Sequence, residues 1–138
     1  MFVLRNTTST MTAQAGSDPG ANVPVLVSFE EQVDRQQLSG KAPSGEQNPQ
    51  YQTSQMATGG TTEVTILSAP STGNRRLVRY IAFTNKGAGA VTYTIRFKDS
   101  AATVTSVDVM TVTLQTSETG EWMEGKGWTF RNTGGNEK

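Results

Sequence analysis

Three glutamates near the end of the chain, Glu118, Glu121 and Glu124, have the types and spacing that acid–base chemistry needs. A pair of facing carboxylates can hydrolyse a glycosidic bond, one as the acid and the other as the base or nucleophile. The same residues also suit a hairpin, because strands and turns routinely expose carboxylates to water. We favour the hairpin interpretation, so the sequence predicts a protein that is not an enzyme and has no catalytic residues.

Two residue types that carry much of protein chemistry are missing, since the chain has no cysteine and no histidine. Without them there can be no disulfide, no thiolate nucleophile and no serine–histidine triad. The glycine-rich stretches at 87–89 and 125–127 do not open helices, so they read as turns rather than phosphate-binding loops. Asp99 and Asp108 lack the dense spacing of a calcium loop. We therefore expect no cofactor and no metal ion.

Length and charge limit the architecture and the partners. The chain has 138 residues, which predicts a single domain over 1–138, and its 12 basic residues balance 12 acidic ones. A neutral chain gives no electrostatic reason to expect nucleic acid or a membrane as partner, and it lacks the self-repulsion that opposes close assembly. Residues 1–5 are too short for a signal peptide, so we expect the protein to act where it is made or within a larger particle.

The stretch 75–98 is the strongest structural signal and predicts a central hairpin of two strands. Its second strand alternates apolar and polar residues, the period of a half-buried strand. In its first strand, the step from Val78 to Ile81 breaks this alternation and predicts a bulge. The residues between the two strands, NKGAG, are typical of a tight connection. The alternating apolar residues are Val91, Tyr93, Ile95 and Phe97.

Further short strands follow from composition at 2–5, 23–29, 61–68 and 103–115, with a phase change near Asp108 that predicts another bulge. The stretch 120–130 predicts a second hairpin that places Trp122, Trp128 and Phe130 on one face. These aromatic residues form either core or a platform for sugars or a partner, and we favour core. Strands at this spacing, with turns between them, predict an all-β antiparallel sandwich or jelly roll.

The segment 31–61 has no apolar period and predicts either a disordered surface loop or a long polar extended arm that lies on a neighbouring subunit. We favour the arm, with Leu38, Tyr51 and Met56 as its anchors. The N-terminal strand, through Phe2 and Leu4, is predicted to reach across the same boundary. Residues 132–138 are predicted to be a flexible tail.

Arg75, Arg76 and Arg79 form a basic cluster at the start of the predicted central hairpin. Guanidinium groups pair readily with carboxylates, so this cluster is a candidate contact with acidic groups of a partner protein. Charge at a strand edge also protects against aggregation. The sequence favours neither interpretation over the other.

The order of motifs in residues 61–131 resembles that of small β-sandwich accessory proteins of tailed-bacteriophage virions. The motifs are TEVTILSAP at 62–70, RRLVRYIAFTN at 75–85, AVTYTIRF at 90–97, TL at 113–114 and EWMEGKGW at 121–128. Each motif alone is ordinary β-sequence, and only their order is distinctive. Two residues depart from the pattern: Ser117 stands where a turn glycine is usual, and Gly120 where an apolar residue is usual.

The resemblance implies a structural role on a virion rather than an activity. We expect a decoration or cement protein on the head exterior, assembled in the host cytoplasm, that binds copies of itself and neighbouring capsid proteins as a homo-oligomer. Many weak repeated contacts would hold such a lattice. The alternatives are a neck or tail accessory protein of the head–tail region and, in a different class, a carbohydrate- or receptor-binding module.

Overall fold

A computed structural model describes residues 1–33, 50–56, 61–100 and 106–138, and every regular element in them is a β-strand. The strands are β1 (Phe2–Leu4), β2 (Ser9–Ala15), β3 (Val23–Val33), β4 (Gln50–Met56), β5 (Val64–Leu67), β6 (Asn74–Thr84), β7 (Val91–Asp99), β8 (Ser106–Leu114), β9 (Thr119–Met123) and β10 (Gly127–Arg131).

The strands form two antiparallel sheets that face each other. Sheet A has the order β10-β9-β6-β3-β4, with β1 also paired to β6, and sheet B has the order β5-β2-β7-β8. The core between them is built from the inward residues of both sheets, with Ile81 and Phe83 of sheet A packed near Tyr93 and Ile95 of sheet B. The predicted all-β antiparallel sandwich is thus confirmed.

The predicted central hairpin is wrong, because its two strands lie in different sheets. β6 pairs with β3 and β9, whereas β7 pairs with β2 and β8. Residues 85–90 therefore carry the chain from one layer of the sandwich to the other. Alternation in a strand shows which side chains point inward, but it does not show which strand lies alongside.

The bulge predicted in β6 is confirmed. Ser28 pairs with Tyr80 and the next residue of β3, Phe29, pairs with Val78. No residue of β3 therefore lies opposite Arg79 in the backbone ladder. The extra residue shifts the phase, and Val78 and Ile81 are both fully buried despite their spacing. The phase change near Asp108 has the same cause, since the ladder between β7 and β8 shifts by one residue there.

Both residues that depart from the resemblance are explained by the backbone. Ser117 has a φ of 64°, so it adopts the left-handed conformation that favours glycine. Gly120 pairs with Phe83 across the β6–β9 ladder, and a Cβ on Gly120 would lie 2.6 Å from that ring. The missing side chain at residue 120 therefore makes room for the Phe83 ring in the core.

Part of the predicted arm belongs to the sandwich. β3 runs on to residue 33, and β4 pairs with β3 from Val23↔Met56 to Phe29↔Gln50. Leu38 lies outside the described residues. The tail also differs from the prediction, because the Lys138 amide donates to the Phe130 carbonyl at 2.9 Å and the chain folds back along β10.

Candidate interaction surface

The outward side of sheet A, which we call the A face, carries exposed apolar side chains. Its rows run across neighbouring strands, and one row joins Met123, Tyr80, Ser28 and Tyr51. Tyr51 is 69% exposed and Met123 is 43% exposed. The A face also includes the outward residues Gly127, Thr129, Arg131, Glu121, Thr119, Ala82, Thr84, Leu26, Pro24 and Thr53.

The centre of the A face is an open depression of about 630 Å³. Small side chains, those of Ala82, Thr53 and Thr84, lie in its lining together with Pro24 and Leu26, and Ala82, Leu26 and Thr53 form one row. Short side chains ringed by larger ones leave a concave surface that a protruding side chain of another protein can fill.

The outward side of sheet B, the B face, is different in chemistry. Pairs of threonines lie opposite each other on β7 and β8, with Thr92 and Thr113 hydroxyls 2.7 Å apart and Thr94 and Thr111 hydroxyls 3.3 Å apart. Cross-strand threonine pairs stabilise a sheet that faces water. The B face is therefore a row of short polar groups that already bond to one another.

The charges of the B face are also paired within the chain. Arg96 binds Asp108 at 2.6 Å, and Lys98 binds Glu63. Burial would raise the pKa of Glu63, but the hydrogen bonds from Lys98 and Thr12 outweigh it and lower that pKa below its ordinary value. The B face offers a partner few groups that are not already engaged.

Of the three predicted interface arginines, Arg76 binds its own chain. Its guanidinium donates to Glu31 at 2.9 Å, and Asn74 donates to the same carboxylate at 2.9 Å. Burial would raise the pKa of Glu31, but the hydrogen bonds from Asn74, Arg76 and the Ser71 amide together lower it. Arg76 is thus part of an internal ion pair, and its prediction as a partner contact is corrected.

Arg79, the bulged residue of β6, holds two strands together through its guanidinium. It donates to Glu30 on β3 at 2.8 Å and to Glu124 after β9. The hydrogen bond from Arg79 is the main reason that the pKa of Glu30 is lowered. Arg79 is therefore also committed internally, whereas Arg75 donates only to the neutral Gln32 at 3.3 Å in the described residues.

The three glutamates considered for catalysis lie in three separate ion pairs. Glu118, which is only 4% exposed, accepts from Lys138 at 2.6 Å, and Glu121 pairs with Arg131 at 3.4 Å. Glu124 pairs with Arg79. Burial of Glu118 differs from the prediction of a solvent-facing residue, because the folded-back tail supplies its cation.

The N-terminal strand, predicted to cross to a neighbour, packs on its own chain instead. β1 pairs with β6, and Leu4 is fully buried in the core. The Phe2 ring lies 4.6 Å from that of Trp122. Phe2 and Leu4 complete sheet A beside β9, so neither is free to bind a partner in this fold.

The aromatic residues of the β9–β10 hairpin face the core. Trp122 is 5% exposed, and Trp128 lies opposite it in the ladder. Trp128 stacks on Phe130 at 6.3 Å between ring centroids, and both are partly buried against the core. Tyr51 is thus the most exposed aromatic residue among those described. Met56, the other predicted anchor in β4, lies at the end of that strand, where its backbone pairs with Val23.

Asn85, which the sequence did not single out, joins the two sheets. Its amide group donates to the carbonyls of Leu114 and Gly89 at 2.9 and 2.8 Å. Its Oδ1 accepts from the Tyr93 hydroxyl at 2.8 Å and the Gly87 amide at 2.9 Å. Burial raises the pKa of Tyr93 to about 12, so the hydroxyl stays a donor. A single asparagine in a strand-to-loop sequence gives no signal of such a role.

Comparisons with known proteins found no match for this chain among protein-family models, curated proteins or solved structures. Residues 1–33, 50–56, 61–100 and 106–138 contain no group of three or more acidic residues arranged to hold a metal ion. The same part of the chain has no helix long and apolar enough to cross a membrane.

Proposed function

We propose that this chain is a non-enzymatic structural protein of a tailed-phage virion that binds neighbouring capsid proteins as a decoration or cement protein. It would be located on the exterior of the head, after assembly in the host cytoplasm. The virion assignment rests on the order of motifs in residues 61–131. The proposal that it binds neighbouring proteins rests on the chemistry of its outer faces.

The observation that carries the proposal is the difference between the two outer faces. Both faces carry threonine pairs and ion pairs, but the A face adds an open depression and the exposed side chains of Tyr51 and Met123. Apolar exposure rimmed by polar groups marks protein interaction sites. We therefore propose that the A face contacts the shell and that the B face is exposed to solvent.

The A face suits weak, repeated binding. Its exposed apolar residues are few and its depression is open, so we expect one copy to bury little surface against a shell protein. A protein present in many copies needs no single tight interface, because contacts that repeat with the lattice add through avidity. A neck or tail accessory protein would use the same face at a different position on the particle.

The carbohydrate-binding alternative lacks its platform. Trp122 is buried in the core and Trp128 is partly buried against it, so neither presents an open ring face for a sugar. Tyr51 is exposed, but Ser28 lies between it and Tyr80, the other aromatic residue of its row. The geometry favours contact with protein.

The test is the copy number of this protein in purified particles, measured by quantitative mass spectrometry against the major shell protein. We expect a number comparable to that of the shell protein. A copy number far below that of the shell protein would favour a neck or tail protein. Absence from particles would contradict the proposal that this is a virion protein.

A further inference from the structure

An open β-sandwich has exposed strand edges, and here the edge strands are β1, β10 and β4 in sheet A and β5 and β8 in sheet B. Unpaired backbone groups at an edge bind other strands, so folded proteins block their edges with charge, proline, bulges, short strands or a covering segment. Four of these five edges carry such a device, and at β1 it is the length of the strand, which is only three residues.

The edge at β10 is covered by the tail. Arg131 forms a bridge with Glu137, and the Lys138 amide donates to the Phe130 carbonyl at 2.9 Å. In sheet B, β5 is only four residues long and Pro70 follows it closely. β8 carries a bulge in its ladder with β7 and the exposed carboxylate of Asp108.

Within the part of the chain that the structure describes, the edge at β4 has none of these devices. Its seven residues, QYQTSQM, include no charge and no proline, and it pairs regularly with β3 along its whole length. Among residues 1–33, 50–56, 61–100 and 106–138, no strand pairs with its other edge. Gln52 accepts from the Ser68 amide at 3.2 Å, which ties β4 to the chain after β5 and holds the strand in place.

We propose that the open edge of β4 binds β4 of a second copy of this chain, so that sheet A continues from one subunit into the next. The pairing is antiparallel about a twofold axis at Thr53. It places Tyr51 opposite Gln55 of the second copy, and Thr53 opposite itself. The two A faces then form one continuous surface, with the exposed tyrosines on either side of the axis.

A second copy fits this edge better than an arbitrary partner because the edge is self-compatible. In a twofold antiparallel pair the residue on the axis faces its own copy, so a charge there would oppose pairing. β4 has no charge to repel its copy, and the whole chain has 12 basic and 12 acidic residues, so long-range repulsion is absent as well. This inference concerns the isolated protein and does not depend on the particle.

The first test compares two lysine variants at opposite edges of the same face. Thr53 on β4 and Thr129 on β10 lie in one row, joined through Leu26, Ala82 and Glu121. We expect the wild-type protein to form dimers by analytical ultracentrifugation and Thr53→Lys to weaken the dimer at least about tenfold, since like charges would meet at the axis. Thr129→Lys should dimerise as the wild type does.

The second test uses cross-linking, which the absence of cysteine makes specific. Opposed residues of an antiparallel pair have Cα atoms about 4.5–5.5 Å apart, within the reach of a disulfide. Thr53→Cys should therefore give a cross-linked dimer on mild oxidation, seen on a non-reducing gel. Thr129→Cys, on the edge covered by the tail, should give no cross-linked band on the same gel, although it associates as the wild type does.

Three results would overturn the proposal. One is a wild-type protein that stays monomeric over a wide range of concentration. Another is a dimer that Thr53→Lys leaves intact, and the last is a dimer that both lysine variants weaken equally. A monomeric protein that is nevertheless abundant in purified particles would reject the β4 pairing and leave the proposed function standing.

Discussion

The two outer faces of the sandwich rest on one core yet differ in what they leave for a partner. On the B face, threonine hydroxyls meet in pairs, and Arg96 and Lys98 bind carboxylates of the same sheet. On the A face, Tyr51 and Met123 project into solvent around a depression. The inward residues of both sheets form one shared core, whereas the outward residues differ, because the A face adds exposed apolar side chains to its polar pairs.

The comparison also separates two uses of charge. The B face uses its ions at the surface, where Asp108 is 55% exposed in its pair with Arg96. Sheet A places its ions at strand junctions, where the Glu31 side chain is 7% exposed in its pair with Arg76. Ion pairs within sheet A join strands, and on the A face itself the charged pair of Glu121 and Arg131 lies to one side, on β9 and β10.

The largest effect that we expect lies on the inner side of β9. Trp122→Ala should lower the free energy of unfolding by about 4 kcal/mol, because it removes a buried indole and opens a cavity. The adjacent residue points to the other side, and Met123→Ala should change that free energy by less than about 0.5 kcal/mol. Chemical denaturation of both variants measures the difference. Equal effects would contradict the assignment of inner and outer sides.

A somewhat smaller effect should follow from breaking the link between the sheets. Asn85→Ala leaves the Tyr93 hydroxyl and the Leu114 and Gly89 carbonyls without their partner, and we expect a loss of about 3 kcal/mol. Asn132, which accepts from the Gly134 amide at 2.9 Å in the exposed tail, is the matched control. Asn132→Ala should cost less than about 1 kcal/mol. If Asn85→Ala lowers the free energy of unfolding by no more than Asn132→Ala does, Asn85 does not stabilise the contact between the two sheets.

The smallest effects distinguish the two kinds of ion pair. Glu31→Gln should lower the free energy of unfolding at neutral pH by about 2 kcal/mol, because three donors lose a charged acceptor. Asp108→Asn, at the surface of the B face, should change it by less than about 0.5 kcal/mol. Thermal unfolding of both variants under the same conditions makes the comparison.

The dependence on pH gives the sign of the Glu31 effect. Its pKa in the folded protein lies below the ordinary value of 4.5. The carboxylate therefore contributes its full stability above pH 4.5, and this contribution is lost as the pH falls through the lower folded value. The difference between the wild type and Glu31→Gln should shrink in that window. A difference that stays constant to low pH would show that Glu31 acts by shape alone.

Local sequence patterns were enough to predict most of the strands and their irregularities, but not β2 or β4. The alternation of β7 and the step between Val78 and Ile81 each report on side chains only a few residues apart, and both were interpreted correctly. The pairing of β6 was not predictable in this way, because its partner β3 lies far away in the sequence and sheet neighbours leave no local period.

The surface was harder to predict than the fold. Tyr51 was singled out, but as an anchor of an arm, because QYQTSQM lacks the apolar alternation of a strand. An edge strand with one wet face needs little of that alternation. The basic cluster was misjudged for a related reason: the carboxylates that bind Arg76 and Arg79 come from β3 and from the turn after β9, which only the folded chain brings close.

The central claim is that the A face, and not the B face, contacts the particle. Ala82→Arg would fill the depression, and Thr94→Arg would place the same side chain on the B face. Each variant competes with the wild type for incorporation into particles, and mass spectrometry gives the ratio. We predict that Ala82→Arg is under-represented at least about tenfold and that Thr94→Arg is incorporated like the wild type. Equal incorporation of Ala82→Arg and the wild type would contradict the account.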